Sequence, residues 1–478
     1  MSGNPEPTTP VATQQAATYK ASDREIYIWG TSQITNGLIG TLGTNITVFF
    51  NTTLGLDAAL IGIATLIPRI LDAITDPLMG HISDNTHTRW GRRRPYILIG
   101  SILTAITMAG MWWASPGWSQ PALFAWLAIG LLTFGVANTI IQVPLEALGL
   151  ELTDDYHQRT KIQSVKFFFG AVLGLGIPWI YWLTLRPEWG GEVYGFRGVY
   201  FVIAILIVVF GLLPAIFCQE RFQRSNEKPE SIYEGIKTAW QNKYFRQIVY
   251  LRLTNAIAAT ITAGMYVYIN IYYICQGDKV LAMELAGIGG TMYSVMTFAF
   301  LFCIPWLGRT LGKRTSMLIG FGLQVAGMML NPWLQTPENP YLQLVGTALA
   351  VPAGLMANIF VSSFMADVCD LGEVQSGRRM EGTYGAVFGF LSKIEYSLLA
   401  VVVGFLVSFS GFNPALPQQP VDIQNNIRWL TYIPGFFFIC LTFWFAWRFE
   451  VDHKLMQEAR ATLDARHRAK ADKASEAD

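Results

Sequence analysis

Long apolar stretches separated by short polar breaks dominate this sequence of 478 residues. A helix of about 20 apolar residues spans the hydrocarbon core of a bilayer, and twelve stretches reach that length. The content of 52% hydrophobic and 14% charged residues fits this pattern. The sequence therefore predicts an all-α membrane protein with twelve transmembrane helices. Their predicted starts lie near Ile26, Ala58, Tyr96, Pro121, Gln163, Val199, Ile248, Leu285, Ser316, Tyr341, Thr383 and Trp429.

The longest polar break divides the predicted helices into two groups of six. This arrangement is typical of transporters built from two six-helix bundles, in which the solute binds near the bilayer midplane between the bundles. We therefore predict five segments. They are a disordered cytosolic N-terminus (1–25), a first six-helix bundle (26–218), a charged cytosolic loop (219–247), a second six-helix bundle (248–447) and a charged, solvated cytosolic tail (448–478).

The distribution of basic residues predicts the orientation in the membrane. With the N-terminus in the cytosol, all but eight of the 34 lysine and arginine residues fall in cytosolic segments, as the positive-inside rule requires. We therefore expect both termini in the cytosol of a bacterial-type inner membrane, and a monomer. The net charge of +1 indicates no nucleic-acid partner. The eight exceptions are Arg186, Arg197, Lys279 and Arg428 on the outer side, and Arg69, Lys166, Arg252 and Lys393 within spans.

The second apolar stretch carries charge where a membrane helix normally carries none. Arg69, Asp72 and Asp76 lie within the apolar run 57–81. An ionised side chain at that depth costs at least about 2.5 kcal/mol. Their spacing places all three residues on one face of a helix. We expect that face to look into the protein, where intramembrane charges mark an ion or solute pathway.

The two acids on this helix predict a site for a coupling ion. Carboxylates one turn apart, together with the hydroxyls of Thr75 and Thr139, supply the oxygen ligands that a hard cation such as sodium prefers. Two close acids withdrawn from water equally favour the binding of a proton. The residues leave both coupling ions open. In an alternative interpretation, Arg69 and Asp72 form an interior ion pair that fixes packing, and Asp76 is capped by its neighbours. That interpretation gives the second acid no role.

Two charged clusters flank predicted helices on the cytosolic side. In the first, an acid at a helix end is followed by a glycine turn and three arginines. This pattern fits a latch between cytosolic segments, and it also fits positive charge that only sets topology. The second cluster follows the tenth helix and fits either a gate or a solvated loop. The candidate gate residues are Asp84, Arg92, Arg93, Arg94, Asp367, Asp370, Glu373, Arg378 and Arg379.

The sequence does not indicate an enzyme. All five histidines lie in or beside predicted cytosolic loops, and the patterns of zinc proteases, nucleophile elbows and phosphate loops do not occur in the sequence. The five cysteines are widely spaced, which is not typical of a metal site or a disulfide framework. We therefore predict neither catalysis nor a cofactor.

Three linked motifs occur in order along the chain. They are Asp72-Ala-Ile-Thr-Asp-Pro-Leu-Met-Gly80 with Trp90-Gly-Arg-Arg-Arg-Pro95, then Pro144-Leu-Glu-Ala-Leu-Gly149, then Asp367-Val-Cys-Asp-Leu-Gly-Glu373 with Gly377-Arg-Arg-Met-Glu-Gly382. With these motifs the chain resembles, over essentially its whole length, the glycoside-pentoside-hexuronide:cation symporters of the major facilitator superfamily. The resemblance implies the major facilitator fold, alternating access and cation-coupled uptake of a sugar-like solute.

The resemblance also implies a set of cation ligands. Asp72, Asp76 and Thr139 match cation ligands of the family. Thr75 stands where a well-known sugar permease of the family has an asparagine. That departure leaves the identity of the cation open, and a sodium ion at Asp72 and Asp76 remains one expectation beside a proton.

Five residues match solute-binding or functional positions of the family. Arg69 and Lys393 are shared with it, and Lys166 stands where the well-known permease has a sugar-site arginine. Gln142 replaces one of the two acids with which that permease grips a galactoside, and Asn36 stands near the position of the other. The resemblance therefore implies a solute other than a melibiose-like galactoside. Without those two acids the pathway is more basic, which favours an anionic solute such as a uronide.

Together the motifs predict a secondary active transporter that couples sodium or protons to the uptake of a glycoside, pentoside or hexuronide. A second interpretation keeps the fold but makes the cargo a lipid or another amphiphile. A third is a membrane sensor that transports nothing. The solute, the ion and the choice between symport and exchange are not determined by the sequence.

Overall fold

The computed structural model describes residues 21–153, 156–220, 240–376, 384, 387, 401–451, 455–463 and 465–466. The elements assigned within these residues are helices, and no strand occurs among them. This confirms the predicted all-α class. The predicted site residues Arg378, Arg379 and Lys393 and the predicted N-terminal segment up to residue 20 lie outside the described residues.

The helices follow the predicted order. The first half contains α1 (Asp23–Gly30), α2 (Ser32–Val48), α3 (Ala58–Asn85), α4 (Arg94–Met111), α5 (Gln120–Glu151), α6 (Tyr156–Gly176), α7 (Ile180–Thr184) and α8 (Glu192–Phe217). The second half contains α9 (Lys243–Tyr268), α10 (Lys279–Thr310), α11 (Lys313–Leu334), α12 (Gln343–Ser376), the helical residues 401–409 and α13 (Val421–Arg448).

Ten helices of the described chain are long and apolar enough to cross a membrane. Two further segments complete the predicted order. Helices α1 and α2 follow each other across Thr31, and residues 401–409 are the described part of the stretch predicted from Thr383. The helix order is therefore consistent with twelve spans in two groups.

A side-chain cap moves one helix start away from its predicted position. The amide oxygen of Asn242 accepts hydrogen bonds from the backbone N–H groups of Tyr244 (2.9 Å) and Phe245 (3.3 Å). Such a cap satisfies donors that the first turn of a helix leaves unpaired. Helix α9 therefore begins at Lys243, before the predicted start near Ile248.

Each half packs mainly against itself. In the first half α4 packs against α5 and α8, and α3 packs against α5; in the second half α11 packs against α12 and α13, and α9 packs against α13. Between the halves, α10 packs against α6 and α7. Each half is therefore a helical bundle, and among the described residues α10 makes the most extensive helix contacts between the two.

Contacts between the halves identify the two sides of the molecule. The Tyr268 hydroxyl donates to the Asn51 amide oxygen (2.9 Å), and Lys279 pairs with Glu192 (2.9 Å). We call this the far side, and we call the opposite side, where α1 begins and α13 ends, the termini side. A Cβ atom on Gly404 would lie only 2.3 Å from the Ala58 carbonyl oxygen, so glycine allows the backbones to meet on the far side.

The tail after α13 differs from the solvated segment that the sequence predicted. Residues 455–463 form a helix in which Met456, Ala459 and Leu463 are buried. The Arg466 guanidinium donates to the Val374 carbonyl oxygen (2.9 Å) near the end of α12. Basic side chains at a helix C-terminus stabilise its unpaired carbonyls. The described part of the tail is therefore docked on the second half.

Candidate solute and ion pathway

Helix α3 brings the predicted Arg69 and Asp72 into contact. A guanidinium nitrogen of Arg69 lies 3.3 Å from an Asp72 carboxylate oxygen, as expected for residues three apart on one helix. The Arg69 side chain is 56% exposed and the Asp72 side chain is 17% exposed. The pair is therefore open to a space inside the molecule, which suits a pathway better than a packing contact in a closed core.

One turn further along α3, Asp76 meets hydroxyl groups. The Thr139 hydroxyl on α5 donates to an Asp76 carboxylate oxygen (3.0 Å), and it lies 3.5 Å from the Thr75 hydroxyl oxygen. Thr139 is buried. A carboxylate and two hydroxyls from adjacent helices thus converge as oxygen ligands, the type that sodium prefers. The structure brings three of the four predicted cation ligands together and places Asp72 on the neighbouring turn.

A cavity of about 710 Å³ lies between the halves. Its volume is within the range of about 300–1,000 Å³ typical of small-molecule sites. The first half contributes parts of α2, α3 and α5 to its wall, and the second half contributes parts of α9, α12 and residues 403–404. Its charged and amide side chains are Arg69, Asp72, Asn138, Arg252, Asn255 and Asn358.

Three predicted solute residues form a second polar cluster, nearer the termini side. Lys166 on α6 pairs with a carboxylate oxygen of Glu146 on α5 (2.6 Å). The Asn36 amide nitrogen lies 3.4 Å from the same oxygen, and the Gln142 amide nitrogen donates to the Asn36 amide oxygen (2.5 Å). The structure therefore divides the predicted solute set, because Arg69 lines the cavity and the other three described residues surround Glu146.

An aromatic ring supports this cluster from α1. Lys166 Nζ lies 5.4 Å from the centroid of the Trp29 ring, within the range of a cation–π contact. Trp29 is buried, and its indole N–H donates to the Leu145 carbonyl oxygen (3.1 Å). A Cβ atom on Gly149 would lie 2.1 Å from that ring, so a side chain there would displace it. Trp29 therefore positions Lys166 and is too buried to stack on a sugar.

On the termini side, the glycine turn of the first motif encloses a carboxylate. Glu220 accepts hydrogen bonds from the backbone N–H groups of Arg92 (2.9 Å), Arg93 (2.8 Å) and Arg94 (3.0 Å) at the start of α4. Gly91 has φ +108°, and a Cβ there would lie 2.6 Å from a Glu220 oxygen. The turn thus forms an anion site at a helix N-terminus, occupied by the chain's own acid.

The arginine side chains of this turn bind other acids of the first half. Arg93 pairs with Asp84 (2.8 Å) and with Glu151 (2.9 Å), and Arg92 also pairs with Glu151. Burial raises the pKa of the Glu151 carboxyl, although both arginines act in the opposite direction. The predicted gate residues Asp84, Arg92 and Arg93 therefore hold helices of one half together in this conformation.

The second predicted gate cluster is likewise held within its own half. Lys313 at the start of α11 pairs with the buried Asp367 on α12 (2.7 Å). Arg460 of the tail helix lies 3.8 Å from Asp367 and 3.9 Å from Asp370. The Glu373 carbonyl oxygen lies 3.4 Å from the Arg466 guanidinium. The tail thus contacts the gate residues that precede the undescribed motif 377–382.

Sequence reasoning did not assign Glu146 or the far-side pair Glu192 and Lys279 to the pathway. The signals were present for both. Glu146 lies in a quoted motif, one helical turn after Gln142 and on the same face. Lys279 is one of the four basic residues predicted on the outer side, where the positive-inside rule makes basic residues uncommon.

Comparison with known proteins places the chain among sugar transporters. Residues 31–453 match the model of the family described as MFS/sugar transport protein. The uncharacterized symporter YnaJ of Bacillus subtilis (strain 168) is 28% identical over 416 residues, which cover 84% of this chain and 86% of YnaJ. The isoprimeverose transporter of Lactiplantibacillus pentosus is 24% identical, covering 89% and 88% of the two chains. The glucuronide carrier protein homolog of Escherichia coli (strain K12) is 22% identical, covering 87% and 90%.

A solved structure shows the same fold. The nucleoside transporter NupG has a TM-score of 0.63 and 15% sequence identity to this chain, covering 90% of it and all of NupG. The helix order, the two halves and the cavity between them define a multi-pass membrane transporter of the major facilitator fold, not an enzyme. The chain belongs to the MFS/sugar transport protein family.

Proposed function

We propose that this protein couples a cation, sodium or a proton, to the uptake of a sugar-like solute by alternating access. The observation that carries the proposal is the arrangement along α3. Asp72 lines the central cavity with Arg69, and one turn away Asp76 meets the hydroxyls of Thr75 and Thr139. An ion bound at Asp76 then lies one turn from the cavity, close enough to alter solute affinity, and the coupling is reciprocal.

The lining of the cavity supports a polar solute. Asn138 comes from the first half, and Asn255 and Asn358 come from the second. Amide groups both donate and accept hydrogen bonds, which suits sugar hydroxyls. A solute held between the two halves is released when they separate, as alternating access requires. These amides are set in a wall that is otherwise mostly apolar, and they favour a sugar over the lipid cargo considered from the sequence.

The positive-inside rule supports one orientation of the protein in the membrane. The termini side carries the arginine turn of α4 and the basic start of α11, and basic loops face the cytosol. We therefore place the termini side in the cytosol. Contacts such as Tyr268 to Asn51 then close the cavity on the outer side. In this orientation the described conformation faces inward.

The test is uptake by the purified protein in liposomes, with a sodium gradient and then a proton gradient, across a panel of neutral glycosides and hexuronides. We expect Asp76→Asn to abolish gradient-driven accumulation while leaving exchange of the solute across the membrane. Asp422→Asn is the matched control, because that acid lies on the exposed first turn of α13. Accumulation at the wild-type level by Asp76→Asn would contradict the cation site.

A further inference from the structure

The ion pair between Glu146 and Lys166 stands where a solute on the proposed pathway passes. Glu146 lies eight residues after Asn138 on α5, which places it about 12 Å from the cavity wall toward the termini side. The Glu146 side chain is 47% exposed and the Lys166 side chain is 20% exposed. Glu146 is two turns after the cavity-lining Asn138, and its partner Asn36 is one turn before the cavity-lining Gly40, so the pair continues the cavity wall toward the termini side.

The pair belongs to a surface that offers donors and acceptors together. Lys166 donates to Glu146, and the amides of Asn36 and Gln142 continue the hydrogen-bonded chain onto α2 and back to α5. A sugar hydroxyl both donates and accepts a hydrogen bond, so it can bridge an ammonium group and a carboxylate. This surface therefore fits the edge of a sugar with adjacent hydroxyls.

The charge balance of the surface limits the solute that it accepts. Glu146 neutralises Lys166, and Asp72 similarly neutralises Arg69 at the cavity wall. A uronide carboxylate that approaches Lys166 is repelled by Glu146 and has to displace it. A neutral sugar bridges the pair without separating the charges. The sequence favoured an anionic solute because the pathway looked basic, and the pairing of Lys166 and Arg69 with acids weakens that argument.

From this geometry we propose that Glu146 is the specificity-determining residue that makes the transporter select neutral sugars over uronides. The inference rests on the proposed sugar transport and deepens it. Among the relatives, one is named for isoprimeverose, which carries no charged group, and another for glucuronides, which carry a carboxylate. We expect transporters of the two solute classes to differ in whether the basic side chain at the position of Lys166 is paired with an acid.

The experiment compares matched solutes on purified protein. Binding of methyl glucoside, methyl galactoside and methyl xyloside, and of methyl glucuronide and methyl galacturonide, is measured by titration calorimetry. We expect the wild type to bind a neutral member more tightly than its uronide. We expect Glu146→Gln to change that ratio by about tenfold or more in favour of the uronide, because it keeps an oxygen beside Lys166 and removes the charge.

Lys166→Gln provides the opposite variant. It leaves the Glu146 charge unpaired, so uronide binding should weaken further while a neutral sugar retains part of its affinity. The double variant restores the charge balance, and we expect it to prefer neutral sugars again with weaker overall binding. A nonspecific loss of structure would lower binding of both solute classes together and would not reverse their order.

The outcomes separate the inference from the proposed function. A wild type that binds uronides at least as tightly as neutral sugars overturns the inference alone, as does an unchanged ratio in Glu146→Gln. A wild type that binds no member of either class, yet remains folded and monodisperse, overturns the proposed sugar transport and the inference with it. A shift of the affinity ratio toward the uronide by about tenfold or more in Glu146→Gln, without such a shift in Lys166→Gln, supports both.

Discussion

The far side and the termini side of this transporter use polar contacts for different purposes. On the far side, hydrogen bonds and an ion pair join one half to the other, as between Tyr268 and Asn51 or between Lys279 and Glu192. On the termini side, the charged clusters around Glu220 and Asp367 each connect helices of a single half. The first set must break when the halves separate on that side, whereas the second set can persist through the transport cycle.

This difference separates two kinds of variant. Loss of a termini-side contact should lower the stability of one bundle and leave the balance between conformations unchanged. Loss of a far-side contact should shift that balance and leave each bundle intact. Alternating access by rigid halves requires this separation, because a half that deforms cannot transmit closure from one side to the other.

The largest effect is expected for Glu220→Ala. The carboxylate accepts three backbone hydrogen bonds at the start of α4, and charge-assisted hydrogen bonds of this kind are strong. We expect a loss of about 3 kcal/mol in unfolding free energy, seen as a lower midpoint of thermal unfolding in detergent micelles. The distance between the halves on the far side should not change.

Glu450→Ala is the matched control for that variant. Glu450 follows α13 much as Glu220 follows α8, but it pairs with Lys243 on the surface, where both side chains are more than half exposed. Exposed pairs contribute little to stability. An equal loss of stability in the two variants would show that the glycine turn of α4 is not a structural anion site.

The sequence predicted contacts within one helix better than contacts between distant segments. Arg69 and Asp72 are three residues apart, so helical periodicity alone places them together. The sequence indicated a turn at Gly91. The acid that binds in this turn, Glu220, lies more than a hundred residues later, and its position depends on how α8 packs against α4. For the tail, the sequence predicted a solvated segment, because it does not identify the distant surface on which Met456, Ala459 and Leu463 are buried.

The candidate site divides in the same way. The resemblance to the family placed Asp76 and Thr139 in one set of residues, and the structure brings them to 3.0 Å. The pair between Glu146 and Lys166 spans two helices, and its consequence for charge was missed because each residue was considered alone. The charge that a basic residue in a membrane span contributes to the pathway can therefore be inferred only together with the acids on adjacent helices.

A smaller effect is expected for Tyr268→Phe, which should change the ratio of the two conformations and not the stability of a bundle. This variant leaves the buried amide oxygen of Asn51 without its donor in the conformation that is closed on the far side. An unpaired buried acceptor costs about 1–2 kcal/mol, or about tenfold in the ratio of conformations. Spin labels at Glu188→Cys and Leu416→Cys, in a variant without the five native cysteines, should report longer distances on the far side.

Tyr200→Phe is the control for the tyrosine variant. Its hydroxyl is equally buried, but its partners Asn45 and Thr41 belong to the same half. We expect it to lower thermal stability without lengthening the distance between the halves. Similar distance distributions in the two variants would mean that the Tyr268 contact does not hold the halves together.

The smallest effect is expected for Lys279→Gln, which removes the charge that crosses between the halves. Glu192 keeps its hydrogen bonds from Thr53 (2.7 Å) and Tyr181 (2.7 Å), so the first half is not disturbed. We expect the variant to shift the equilibrium away from the conformation that is closed on the far side. Both members of the ion pair are partly exposed, which limits this shift to about 1 kcal/mol, or about fivefold in the ratio of conformations.

The same spin labels measure the effect of Lys279→Gln, and two further variants define its cause. Lys279→Arg keeps the charge and should restore most of the closed population. Arg186→Gln removes an exposed arginine on the same side, whose partner Glu188 belongs to the same loop. Because a label at position 188 would replace that partner, this variant is measured with the label at Trp189 instead. If Arg186→Gln shifted the distances as much as Lys279→Gln, general surface charge, and not the pair across the halves, would control closure on the far side.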